Sequence, residues 1–318
     1  MHKSVLINSV NKNILSSLKQ LKLDSIVLDF NSLNSENISS LRKFSGAPEM
    51  FVQIPIFQGS KELLQRYPDA KAVEAENKET VTDDYVGICP THPQVREDAL
   101  NKVKKALNEN IQGIWLNHLR YPTNWNVPEP EILNTCYCDR CLRMFEEYIG
   151  ESIVGNSLED KFLHIDGSYY LEWLEFKAEQ IVSMIRRVKG IIAESGKEIK
   201  VGIFIVPWED KDYGAGVQRI LAQDYSKLGG YIDVFCPELY YKDCGQDVSW
   251  VKNKVEYFWN ISHPFISIVK SNNVPSKEFK QSLEYATSGF SEGVVVSNLE
   301  DLVDNGKKIK VLRIFFDS

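Results

Sequence analysis

The sequence predicts an α/β protein built as a (β/α)8 TIM barrel, with insertions after strands three and four and residues 1–318 forming a single TIM-barrel domain. Two observations lead there. Eight short β-branched or aromatic runs recur along the chain, and apolar residues at helical spacing fill intervals between them. Length agrees, because α/β barrels commonly reach roughly 250 residues or more as one unit and this chain has 318. A doubly wound open sheet uses the same βα units but usually fewer of them.

The eight runs are Val5 to Asn8, Ser25 to Phe30, Met50 to Ile56, Gly113 to His118, Lys200 to Val206, Ile232 to Cys236, Phe265 to Val269 and Gly293 to Ser297. A ninth, Tyr85 to Cys89, falls in a long excursion from Phe57 to Thr91 and reads as part of a hairpin there. Val95, Ala99, Leu100, Val103, Ala106 and Leu107 form a helical stripe, with Pro93 in its first turn and Glu97 and Asp98 near its positive end. Leu174, Ile181, Met184, Ile185, Val188 and Ile192 form a longer one. Shorter stripes follow at Val248, Val251 and Val255, and at Phe279, Leu283 and Ala286. The stretch from Tyr121 to Asp166 is then the insertion after strand four.

Composition narrows the partners. The 37 Lys+Arg against 44 Asp+Glu give a net charge of −7, which argues against broad phosphate-backbone binding and hence against nucleic acid as a partner. No apolar run is long enough for a membrane span, and the N-terminus turns polar at Asn8 before a signal-peptide core develops. A cytoplasmic location follows if Met1 is the natural start, and an exported one if a signal was trimmed.

In such barrels the chemistry gathers where strands end. The fourth run ends in Asn117, His118, Leu119, Arg120 and Tyr121, the fifth leads into Trp208, Glu209 and Asp210, and the sixth into Glu238, Tyr240 and Tyr241. Carboxylates and amides grip hydroxyls, and flat aromatic faces cover pyranose rings, so this rim suits a carbohydrate ligand; Trp125 belongs with the same aromatics. Capping of the barrel by those rings is the alternative. Glu238 follows an apolar buried run where ionisation costs energy, which marks it as a catalytic or ligand-binding carboxylate, with a salt bridge to Arg120 as the structural alternative. Glycoside hydrolysis needs a second carboxylate. Asp210 is the provisional partner, with Glu209, Asp29, Glu74 and Glu76 as further candidates. His118 is a candidate for proton transfer or ligand contact, or a hydrogen-bonded structural group.

The spacing C-x-C-x2-C at Cys136, Cys138 and Cys141 suits thiolates sharing a metal, with Cys89, His92 or Cys244 as the fourth ligand and a structural zinc as the cofactor. Disulfides in an oxidising compartment and plain reduced thiols are the other readings.

Several segments, in order, resemble a family of glycoside-hydrolase-like (β/α)8 proteins largely of unassigned activity. They are Cys89-Pro90-Thr91-His92-Pro93 with Val95-Arg96-Glu97, then Gly113-Ile114-Trp115-Leu116 with Arg120-Tyr121-Pro122, then Cys136-Tyr137-Cys138 with Cys141 and Phe145. Val206-Pro207-Trp208, Gln223-Asp224-Tyr225, and Asp233-Val234-Phe235 through Tyr240, Cys244 and Gly245 continue the likeness. The resemblance implies a barrel acting on an oligosaccharide or polysaccharide. Asn117 stands where the family often carries Asp, and Glu238 where it commonly carries Met. An amide at 117 is unable to act as nucleophile or base, so a catalytically inactive carbohydrate-binding barrel is the alternative.

Overall fold

The computed structural model describes residues 1–44, 46, 48–76, 78–82, 85–289 and 291–318. Its strands are β1 (His2–Ile7), β2 (Ser25–Asp29), β3 (Glu49–Pro55), β4 (Gly113–Asn117), β5 (Lys200–Ile205), β6 (Val234–Pro237), β7 (Ile266–Lys270) and β8 (Gly293–Ser297). All eight are parallel, in the order β6-β5-β4-β3-β2-β1-β8-β7. The two ends of that sheet meet. Bridges Phe235↔Phe265 and Glu238↔Ile268 join β6 to β7, and Leu239 N donates to Ile268 O at 2.8 Å. The result is the predicted (β/α)8 barrel. Strands such as β4 and β8 are buried along their whole length, because helices cover the outside and side chains fill the interior.

The first strand begins at His2, three residues before the apolar run, because backbone pairing to β8 extends that far (His2↔Gly293). The four helical stripes become the helices Pro93–Leu107, Tyr170–Glu194, Ser249–Trp259 and Ser276–Ala286. His92 caps the first of these, accepting from Val95 N. The ninth run does not enter the barrel. Antiparallel bridges Val81↔Val86 and Lys71↔Ile88 fold it into the segment after β3, as a hairpin on that excursion requires. A further bridge, Glu74↔Thr135, ties this segment to the one after β4, which carries the helices Asp139–Ile149 and Leu158–Ser168. Among the described residues no helix is long and apolar enough to cross a membrane.

Close strand approach fixes the barrel between β1 and β8. A Cβ at Gly293 would lie 2.0 Å from the backbone oxygen of His2, so neither chain has room to yield without breaking the ladder. Gly293→Ala is expected to lower stability by about 1–3 kcal/mol, seen as a lower urea midpoint. An unchanged midpoint would contradict this packing.

Candidate active site at the barrel mouth

Parallel strands deliver their carboxyl ends to one face, and there a cavity of about 440 Å³ opens. Asn8 follows β1, Gln53 comes from β3, Asn117 ends β4 with His118 after it, Glu238 and Tyr240 follow β6, Lys270 ends β7, and Ser297 ends β8 with Asn298 after it. Gln58, Tyr85, Arg120, Thr123, Asn124, Trp125 and Asn126 come from the segments after β3 and β4. Amides dominate the polar lining, and Glu238 is the one carboxylate among the described lining residues.

The strands on either side of β6 pin Glu238. Its N–H donates to Ile205 O at 3.1 Å on β5, while the bridge to Ile268 holds it against β7. Burial raises its carboxyl pKa above the ordinary value, against the pull of Arg120, a hydrogen bond with Tyr240 and the charge of Lys270. Arg120 is itself buried, and that burial lowers its pKa while Tyr85 and Glu238 oppose the shift. Lys270 reaches Asp243 at 2.7 Å and lies 4.0 Å from the centroid of the Tyr240 ring. Trp125 stacks on the same tyrosine, with centroids 5.8 Å apart at 19°.

His118 holds the left-handed conformation at φ 54°, uncommon for a non-glycine residue and concentrated at functional sites. Its N–H donates to Asn117 Oδ1 at 2.7 Å, and its buried Nδ1 has no hydrogen-bond partner among the described residues. Burial, then the charges of Arg120 and Lys102, push its pKa down to about 3, so the imidazole is neutral at physiological pH.

The structure thus brings Asn117, His118, Arg120, Trp125, Glu238 and Tyr240 together, and leaves the other predicted residues outside the cavity. Asp210 is exposed, where its Oδ1 accepts from Tyr257 Oη at 3.0 Å. Trp208 lines a neighbouring groove. Tyr241 turns away from the mouth, its hydroxyl donating to Glu278 at 3.1 Å. Tyr121 points to the opposite side of its chain from Arg120, fully buried with Lys177 Nζ 4.5 Å from its ring centroid. The other candidate carboxylates have structural partners: Asp29 accepts from Asn31 N, Glu209 from Lys254, Glu74 from the backbone of Glu76, Lys78 and Asn134, and Glu76 pairs with Lys78. Sequence reasoning missed Gln53, Asn124, Asn126, Lys270 and Asn298. Gln53 carried a signal, as an amide inside an otherwise apolar strand.

The cysteines form a second centre. Cys89 joins Cys136, Cys138 and Cys141, all four sulfurs lying within 4.8 Å of one another. Cys89 Sγ is 3.4 Å from Cys141 and 3.7 Å from Cys138, close to the roughly 3.8 Å edge of a tetrahedron with metal–sulfur bonds of about 2.3 Å. Hydrogen bonds with Cys136, Cys141 and Cys89 favour the thiolate form of Cys138. The set fits a tetrahedral metal ion with no open position. Of the other proposed fourth ligands, His92 bonds Asp69 and Cys244 lines the groove beside the mouth.

Fold and mouth together define the class, a closed (β/α)8 barrel with a polar cavity at the carboxyl ends of its strands. The structure is similar to β-galactosidases from Rahnella sp. R3 (TM-score 0.68, 11% identity, 100% of this chain and 56% of that one) and from the haloarchaeon Halorubrum lacusprofundi (TM-score 0.66, 11% identity, 99% and 57%). It is also similar to the glycoside hydrolase domain of PelA from Pseudomonas aeruginosa (TM-score 0.53, 12% identity, 93% and 94%). The chain spans a little over half the length of those β-galactosidases. No protein-family model and no curated protein matches the sequence.

The lowered pKa of His118 has a measurable consequence. Between the ordinary histidine value and about 3 the unfolded chain binds a proton that the folded chain refuses, so stability falls as pH drops through that window. His118→Asn, which tolerates positive φ, is expected to remove up to about 1.4 kcal/mol per pH unit of that acid slope. Parallel stability–pH profiles for the two proteins would reject a neutral buried imidazole.

Proposed function

We propose that the barrel mouth binds a saccharide and that recognition, without two-carboxylate hydrolysis, is its principal work. The lining of the cavity carries this reading: amides suited to sugar hydroxyls stand around the buried, mutually stacked Trp125 and Tyr240, with one carboxylate among the described lining residues. Neither standard geometry of glycoside hydrolysis is served by one carboxylate. Arg120, Asn117 and His118 orient hydroxyls, and Glu238, flanked by Arg120 and Lys270, accepts from them.

A second reading, hydrolysis of an oligosaccharide, draws on one observation. Burial raises the Glu238 pKa, as a general acid needs, and Asp210 would serve as its partner only after leaving Tyr257 for the mouth. Calorimetric titration and reducing-end assays on one glycan panel separate the two. Binding weakened about 10-fold by Asn117→Ala, with no cleavage by the wild type, is the expected result. Cleavage abolished by Glu238→Gln would establish the second reading instead.

The four-cysteine centre is assigned a structural zinc. Four thiolates around a divalent ion carry excess negative charge, and Lys177 and Arg140 stand beside the cluster to offset it. Its place between the segments after β3 and β4 supports a stapling role. Protein purified under reducing, chelator-free conditions should carry one zinc per chain, and Cys138→Ser should lower zinc affinity at least about 10-fold and depress Tm. Metal-free protein of undiminished Tm would overturn the assignment.

A further inference from the structure

Residues 123–131 form a partition with a cavity on each flank. Bridge Asn124↔Glu131 and the Thr123 hydroxyl, donating to Glu131 O at 3.1 Å, close it into a hairpin. On one flank Trp125 belongs to the mouth; on the other it helps line a groove of about 260 Å³. The far wall of the groove is Trp208 and Tyr213, from the loop after β5, and Trp250, from the helix Ser249–Trp259. These walls are held in place by tight packing. The Trp208 and Tyr213 rings are 4.5 Å apart, and a Cβ on Gly216 would come within 3.0 Å of Trp208. Gly245, at φ +66°, leaves room for Pro128, which a Cβ would meet at 3.0 Å.

The polar content of this groove selects its ligand. The buried ammonium of Lys254 is bonded to Glu209 at 3.0 Å and to Asp212 at 3.3 Å, so two carboxylates already answer its charge. Among the described lining residues a phosphate or other anion finds no cation without a carboxylate partner. Half-buried Trp250 and Tyr213, which is 41% exposed, offer flat apolar surface beside the Lys254 and Asp212 polar groups. Aromatic faces next to polar groups, without net positive charge, suit a neutral sugar ring.

We infer that this groove is a second sugar-binding subsite, so that the ligand is an oligosaccharide laid across the 123–131 hairpin, with one unit in the mouth and the next on Trp250 and Tyr213. The inference rests on the saccharide reading of the mouth and extends it from a single sugar to a chain.

Calorimetric titration with α- and β-linked gluco-, galacto- and xylo-oligosaccharide ladders of one to five units tests it. Affinity in the bound series should rise at least about 10-fold from monosaccharide to tetrasaccharide. Trp250→Ala should collapse that ratio toward one, and Tyr213→Ala, at an exposed position, does the same if the tryptophan variant fails to fold. Asn117→Ala, in the mouth, should weaken every length and leave the ratio intact. A ratio of about one in the wild type, or one that survives both aromatic substitutions, overturns the subsite while leaving the mouth reading in place. Folded protein that binds no member of any ladder overturns both.

Discussion

Closure of the parallel sheet between β6 and β7 is the constraint on which the rest of the molecule depends. Elsewhere the strands are held by continuous ladders, but here the described contact is two bridges, and one of them is made by Glu238 itself. The carboxylate that defines the mouth is therefore also a backbone component of the closing seam. An open sheet of the same strands would leave Glu238 on one edge and Lys270 on the other; the closed ring sets them in one cavity.

That placement creates an electrostatic problem that the lining resolves locally. A lone buried carboxylate would be driven strongly toward its neutral form. Arg120 and Lys270 oppose that drive, while Asp243 on the far side of Lys270 keeps the cationic side from dominating. Opposite charges thus offset one another at close range, and the rest of the described lining is uncharged, amides chief among its polar groups. Such a site favours ligands that are rich in hydroxyls over ligands that carry charge, which joins the electrostatics to the saccharide reading.

The barrel was legible in the sequence because burial on both faces of a parallel strand leaves an unbroken apolar run, and all eight runs coincide with strands to within a few residues. Glu238 was legible for the same reason: a carboxylate placed just after such a run is delivered to the mouth by the fold. Residues beyond the strand ends were harder, because side-chain direction there depends on the path of the loop. Arg120 and Tyr121 are adjacent, yet one enters the cavity and the other packs beside Lys177. Asp210 sits in a loop that Tyr257 holds at the surface, and Tyr241 is drawn off by Glu278. Among the three proposed fourth ligands only Cys89 reaches the cysteine cluster, across segments that the Glu74↔Thr135 bridge joins and that spacing along the chain does not relate.

The two centres share a scaffold. Cys89 lies on the segment that carries Tyr85 into the mouth, and Cys136, Cys138 and Cys141 follow the stretch that carries Arg120 and Trp125 there. The four sulfurs lie together at the far ends of both segments. Tyr121 completes the connection: its N–H donates to Leu221 O at 3.0 Å, anchoring the chain at the point where alternate side chains diverge, one into the mouth and one toward the thiols. On the structural-zinc reading proposed above, the cysteines serve the cavity at a distance, by holding in place the loops from which its aromatic and cationic walls are built.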